Sequence, residues 1–302
     1  MHPSNSTTDN GKVIMFTGKG GVGKTTCAAA TALHYASCGE STLVLSTDPT
    51  PSLSHIFETT DRQKPKQVAE NLYLQEVGLN EVKQMWDKKF GREVYEVFST
   101  LVSVSYEDFV DFITSILPGL ADEFMVDYLK GLFQQKTYAR IVWDTAPLGQ
   151  TLGLLQTPAM LSQHLKPAPR IYSKLKLGSE TRRSVLDIIK GWEKLSGQDM
   201  DFLRKDVSFT LVTIPEALAV AQLESIMGEF DKLEGRIERL VINNVVQDTS
   251  SAFLMTKAEM QKPYIELIRQ RYQGMEITEI PLLPSEIKGI AALQHITQYL
   301  FR

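Results

Sequence analysis

The sequence predicts a doubly wound α/β fold, a mostly parallel sheet with helices on both faces and an inserted helical subdomain. Three observations predict it. Seven short runs rich in β-branched and aliphatic residues recur along the 302 residues. Most of them are continuously apolar rather than alternating, as strands covered on both faces are. Segments of helical periodicity separate them, and regular strand–helix alternation builds a parallel sheet.

The elements follow in order. The polar "MHPSNSTTDN" (1–10) lacks a basic region leading into an apolar core. It reads as a disordered leader and not as a secretory signal. A single domain is expected over 11–302. Its first strand is "VIMFT" (13–17), followed by "GKGGVGKTT" (18–26) and a helix over 24–38. Cys27 and Cys38, the only cysteines, both fall in that helix. Eleven residues apart, they stand roughly 16 Å from each other along the axis. They can neither form a disulfide nor jointly hold one metal, so both are expected to be small buried side chains.

"STLVLST" (41–47) and "NLYLQEV" (71–77) are the next strands. Residues 80–135 are too long for one crossover. Trp86, Phe90, Val94, Val97 and Leu101 form a helical stripe, and further helical patterns run through Phe109–Ile116 and Phe124–Leu132. A break is expected at "LPGLAD" (117–122), at Pro118 and Gly119. After the strand "RIVWD" (140–144), residues 155–205 form a second insertion. It opens on the loop-like "LKPAPR" (165–170) and continues through a charged helix around "SVLDIIKGWEKL" (184–195). The two insertions are expected to pack together as a helical subdomain. The chain closes with "SFTLVTI" (208–214), a helix over 217–234, "RLVINNV" (239–245), a helix over 256–273, "EITEIPL" (276–282) and a helix over 285–301.

Hydrophobic residues make up 43% and charged residues 23%, at a net charge of −4. That is ordinary for a soluble globular chain and supplies no basic field to attract nucleic acid. No apolar run approaches the ~20 residues of a membrane span, so a cytoplasmic protein without an integral span is expected.

Gly18 to Thr25 fits G-x-x-x-x-G-K-[ST] between a strand and a helix, the setting in which this pattern cradles phosphate. Glycine lets the backbone of Gly18, Gly20, Gly21, Val22 and Gly23 curl its N–H groups toward phosphate oxygens. The helix N-terminus beginning at Lys24, Thr25 and Thr26 adds its dipole. Lys24 is placed to reach the β- and γ-phosphates of ATP, and the Thr25 hydroxyl to ligate Mg²⁺. Asp144 ends a strand at the carboxyl edge of the sheet, where it partners Mg²⁺ directly or through water. Asp48 has two readings that spacing does not separate. It is either a turn former before Pro49 or the acid that orients an attacking water. Lys19 has no task in its own loop.

The loop, "STDPTPSLS" (46–54) and "DTAPLGQTLGLL" (144–155) together resemble the arsenite-pump and tail-anchored-protein-targeting ATPases. These sit in a broader class of dimeric ATPases with the nitrogenase iron protein and the partition and division-site ATPases. The likeness continues through "LPGLADE", "TIPEALAV", "VINNV", "MQKPYIELI" and "PLLPSEIKGIAAL", covering nearly everything from Gly11 to Arg302. The resemblance implies a homodimeric, Mg²⁺-dependent ATPase. Lys19 is then similar to the signature lysine that reaches the partner's nucleotide, and Asp48 to the water-positioning acid of the first switch segment. "DTAPLGQT" resembles the second switch. Asn243 matches an adenine-contacting asparagine, and Pro281 and Leu282 open a stretch like the adenine loop. Glu216 matches an acid near the nucleotide across the dimer. Read from the residues alone, Asn243 is a strand-end cap and Glu216 a first-turn acid.

The sequence also departs from the family. Ser251 and Leu254 stand where targeting ATPases often carry Cys-x-x-Cys, and neither is a thiolate ligand, so a shared zinc is not expected. Two cysteines on one helix argue against arsenite sensing, as does a single ATPase unit where pump subunits typically fuse two. Pro51, Leu148 and Gln150 replace the His and Thr-Gly-His more usual in the switches. The resemblance implies a client, foremost a tail-anchored or other hydrophobic membrane protein. Alternatives are an ATPase driving an anion pump on a membrane permease, and a partition-type nucleotide switch. The ending "HITQYLFR" (295–302), without a basic amphipathic extension, disfavours the last. The methionines of the insertions are scattered, and the Trp86–Leu101 stripe reads more readily as bundle core than as a cargo groove.

Overall fold

The computed structural model describes residues 13–48, 52–60, 65–99, 103–116, 118–146, 148–167, 170 and 179–302. The leader and Pro49–Pro51 lie outside the described residues, as do Leu101, Leu117, Pro147 and Pro169. One eight-stranded sheet runs in the order β3-β4-β2-β5-β1-β6-β7-β8. Its strands are β1 (Val13–Gly18), β2 (Thr42–Ser46), β3 (Lys66–Ala69), β4 (Leu72–Glu76), β5 (Arg140–Asp144), β6 (Val207–Thr213), β7 (Ile237–Val245) and β8 (Glu276–Pro281). All pairings are parallel except β3 with β4. The parallel sheet follows from the apolar runs: β1, β2 and β6 are buried along their whole length. The expectation missed β3, and the reason is physical. "KQVA" is an edge strand, exposed or half-buried throughout, so it needs no apolar run. It turns back on β4 through Asn71, whose φ of 58° is one that asparagine tolerates in a tight turn.

The chain divides into two compact units. One takes in Met1–Val77, Gln135–Thr151 and Asp206–Arg302, and the other Gly78–Gln134 and Leu152–Lys205. In the first, α1 (Lys24–Ser37), α2 (Leu53–Ile56), α9 (Ala217–Lys232), α10 (Ala252–Arg271) and α11 (Gly289–Leu300) flank the sheet. Ala28, Ala29 and Ala32 of α1 join Phe16, Val142 and Leu293 in one buried core. Small residues on α1 bring the helix close to the strands it covers.

The second unit is helical: α3 (Leu79–Trp86), a single π-helical turn (Asp87–Gly91), α4 (Arg92–Ser99), α5 (Tyr106–Ile116), α6 (Pro118–Gln135), most of α7 (Leu148–Leu165) and α8 (Ser179–Lys205). Trp86 and Val97 of the predicted stripe are buried, Val97 against Leu165 and Ile189. The expected break is narrower than "LPGLAD". Pro118 opens α6, where a missing N–H costs nothing, and Gly119–Asp122 lie inside that helix. No helix among the described residues is long and apolar enough to cross a membrane.

One cysteine departs from expectation. Cys27 is buried, its thiol pushed up to about 12 by desolvation and then by Asp144. Cys38 caps the end of α1 and is exposed, because it falls beyond the last turn that packs on the sheet.

Candidate active site

Parallel strands present all their carboxyl ends at one edge, where crossover loops leave room for a ligand. β1 sits in the middle of the sheet, between β5 and β6, and delivers Gly18 to that edge. Gly18 has φ 151°, and a β-carbon there would run into the Val212 carbonyl oxygen of β6. Gly23 has φ 97°, and a β-carbon there would run into the Asn243 amide. Both positions therefore require glycine sterically. The loop is tied at its crown and its base. Asn243 Nδ2 donates to the Val22 carbonyl at 2.9 Å, and Lys24 Nζ donates to the Lys19 carbonyl at 3.0 Å.

Lys24 is buried, and desolvation lowers its pKa against the opposing pull of Asp144 and then Asp48. Asp144 is fully buried, and desolvation raises it to about 7 although the Thr25 and Ser46 hydroxyls and Lys24 favour its ionised form. Ser46 Oγ donates to Asp144 Oδ2 at 3.2 Å, whereas Asp144 Oδ1 has no partner among the described residues. Asp48 is half-buried two residues past the end of β2, and its backbone N–H donates to Ser46 Oγ at 3.3 Å. Thr47 Oγ1 accepts from the buried Trp143 indole at 3.1 Å. Beyond Asp144, Thr145 Oγ1 donates to the Phe16 carbonyl at 2.7 Å. Thr151 Oγ1 lies 2.7 Å from the Ala146 carbonyl and 3.0 Å from Thr145 Oγ1, which folds the segment after β5 onto itself.

Gly18 to Thr26, Asp48, Asp144 and Asn243 thus meet around one loop. Lys19, Gly20 and Gly21 are exposed on it. Glu216, Pro281 and Leu282 stand at the same carboxyl edge, without a hydrogen bond to the loop among the described residues. Glu216 is the exposed N-cap of α9 and makes no side-chain cap. Pro281 ends β8, and the Leu282 N–H donates to the Val245 carbonyl at 2.8 Å. Ser251 accepts the Leu254 N–H at 3.2 Å and so caps α10, an ordinary use of serine at that position.

The oxygen donors fit a hard divalent cation such as Mg²⁺. A hydroxyl and a carboxylate with a buried, unpartnered oxygen lie beside a phosphate-type loop. A family model for anion-transporting ATPases matches residues 11–302.

The chain belongs to the anion-transporting, ArsA-type ATPase family. It is an ATP-hydrolysing enzyme that binds nucleotide. The GET3A ATPase of Arabidopsis thaliana is 32% identical across 94% of this chain and 82% of that protein. A protein of Aquifex aeolicus named as an arsenical pump-driving ATPase is 29% identical across 96% of this chain and 99% of that protein. An ASNA1-type ATPase homologue of Dictyostelium discoideum is 26% identical across 96% and 90%. The Aquifex relative removes one argument drawn from the sequence, because a single-unit ATPase of this length also carries the pump-driving name.

Sequence reasoning passed over several side chains that shape this ATPase's site. Ser46, Thr145 and Thr151 are small hydroxyl residues inside segments already read as switches, and nothing in their spacing singles them out. Trp143 reads as one more apolar strand residue. Its signal was the aromatic with an N–H handle directly beside a strand-end Asp, since a buried indole seeks a partner.

Proposed function

We propose that this ATPase works as a homodimer whose nucleotide-driven opening and closing is coupled to a client, foremost a tail-anchored or other hydrophobic membrane protein. The observation that carries the dimer is the contrast between two lysines of one loop. Lys24 turns inward, buried beside Asp144, whereas Lys19 is exposed and makes no side-chain ion pair among the described residues. An ammonium held at the rim of a phosphate loop and unused by its own subunit suits the phosphates of a facing nucleotide.

In this reading Lys24 and the loop N–H groups bind the β- and γ-phosphates, and Asp48 orients water in line with the γ-phosphorus. Thr25 and Asp144 would hold Mg²⁺, which neutralises charge on the phosphate oxygens. Asn243 is already committed to the Val22 carbonyl. It therefore holds the loop as well as standing where adenine would lie beside Pro281 and Leu282. Glu216, exposed at its helix start, is free to face a partner subunit. The helical unit is the part offered to the client.

A second reading has one specific support, the pump-driving name of the Aquifex relative. Against it, Cys27 is buried with a raised thiol pKa and Cys38 is exposed elsewhere, so no pair of thiolates in one protomer awaits a soft anion.

The test is sedimentation and turnover of Lys19→Ala beside the wild type, with ADP and with a non-hydrolysable ATP analogue. The variant should keep nucleotide binding but lose the ATP-dependent dimer and about 10²-fold or more in kcat. Wild-type sedimentation and rate in the variant would remove the dimer reading. Co-expression with a tail-anchored substrate tests the client, and failure to retain it in every nucleotide state would sink that half.

A further inference from the structure

We infer that Ser46 is a positioning residue, whose hydroxyl couples the Asp144 carboxylate to the backbone of Asp48. Three observations place it there. Ser46 is fully buried at the last position of β2 and stands in register with Asp144 on β5. Its hydroxyl has one hydrogen and faces two groups of opposite need. As an ionised carboxylate Asp144 Oδ2, at 3.2 Å, can only accept, and the Asp48 N–H at 3.3 Å can only donate. The bond directions are therefore fixed, running from the Asp48 N–H to Ser46 Oγ and from the Ser46 O–H to Asp144.

The Thr47 N–H donates to the Asp144 backbone carbonyl at 3.2 Å, and the Trp143 indole bonds the Thr47 hydroxyl. These fix the strand pairing around the relay but do not sense the Asp144 carboxylate. At the far end of the same segment, the Ser54 N–H donates to Glu76 Oε1 at 3.1 Å. Ser46 is thus a hydroxyl that links the Asp48 backbone to the metal-side acid. Chains of hydrogen bonds polarise one another in a buried setting. Whatever occupies Asp144 therefore changes how firmly Ser46 holds the Asp48 amide.

This inference rests on the proposed roles of Asp48 and Asp144, so the experiment separates the two. Wild type with and without Mg²⁺, and Asp48→Asn beside it, first show whether turnover needs Mg²⁺ and Asp48. If it does not, those roles fail and Ser46 is not at issue. Ser46→Ala is then compared with wild type and with Ser46→Thr, which restores a hydroxyl. Loss of an outer-shell partner of this kind costs about 10–100-fold. We expect that loss in kcat for Ser46→Ala, with the KM for ATP within about threefold and most of the rate regained in Ser46→Thr.

The readout independent of activity is hydrogen exchange at the Asp48 amide of the ADP-bound protein. Adding Mg²⁺ should change the wild-type exchange rate several-fold. In Ser46→Ala the amide should exchange at least about tenfold faster and ignore Mg²⁺. A variant with wild-type kcat, or one whose Asp48 amide still answers Mg²⁺, overturns the relay. If Ser46→Ala fails to fold, Ser46→Cys, which keeps the volume with a weaker donor, decides it by the same two readouts.

Discussion

Asp144 in the sheet unit and Asp199 in the helical unit invite comparison. Both are fully buried, and desolvation raises both, to about 7 and about 6. Each also keeps one oxygen without a partner among the described residues. They differ in where the nearest cation stands. Lys130 on α6 pairs directly with Asp199 on α8 and lies 3.3 Å from Asp127, and Lys89 of the π-helical turn pairs with Asp127. In the sheet unit, Lys24 donates to a loop carbonyl, and Asp144 is held by hydroxyls. The two charges there attract without closing on each other. A buried oxygen without a partner therefore does not mark a site by itself. Ion pairs closed upon themselves hold a bundle together, and a lysine and carboxylate held apart leave both open to a ligand.

The largest effect expected from this contrast is on the helical side. Lys130→Met leaves Asp127 and Asp199 buried with Lys89 as their remaining cation. Breaking a buried pair in this way costs about 3–5 kcal/mol. Chemical denaturation should show that loss, while ATP binding by the folded variant stays within about twofold of wild type. A loss under about 1 kcal/mol would mean that the network is solvated and that the comparison fails.

The sheet-side counterpart is Lys24→Met, whose cost should appear in rate and not in fold. Loss of one preorganised donor to the developing charge typically lowers kcat by about 10²–10³. Stability should hold or rise slightly, because burial already disfavours the Lys24 charge. Steady-state turnover beside a thermal melt checks both halves. A variant that melts early yet turns over normally would make Lys24 a structural lysine like Lys130.

The sheet was legible because buried parallel strands must be apolar throughout, and the loop because its glycines answer to sterics: Gly18 meets Val212 and Gly23 meets Asn243. β3 was illegible because an exposed edge strand leaves no pattern. Ser46 was hidden for another reason. Its role comes from its register with Asp144, 98 residues away, and no local pattern records which strand lies alongside. The same holds for Lys130 and Asp199, 69 residues apart. In the sequence both look like solvated charges on helices, and only tertiary packing turns them inward. The exposure of Cys38 was a matter of a single position at a helix end, where pattern reading is weakest.

The smallest effect is a pH dependence in the helical unit, and its sign tests whether Asp199 resembles Asp144 in being governed by desolvation. An exposed aspartate titrates near 3.9 in the unfolded chain, whereas Asp199 in the fold titrates at about 6. Between about pH 4 and 6 the folded state therefore holds a proton that the unfolded chain has lost, and stability falls as pH rises through that window. Two pH units correspond to at most about 3 kcal/mol, with the pull of Lys130 already reflected in the folded value. Other carboxylates titrate in the same range, so the quantity to measure is the stability of wild type minus that of Asp199→Asn. That difference should favour wild type most at pH 4 and shrink by about 2 kcal/mol toward pH 7. If it grows with pH instead, the Lys130 pair outweighs desolvation and holds Asp199 ionised. The helical network would then be an ordinary salt-bridge clasp, and Asp144 alone would carry a carboxylate poised near neutrality.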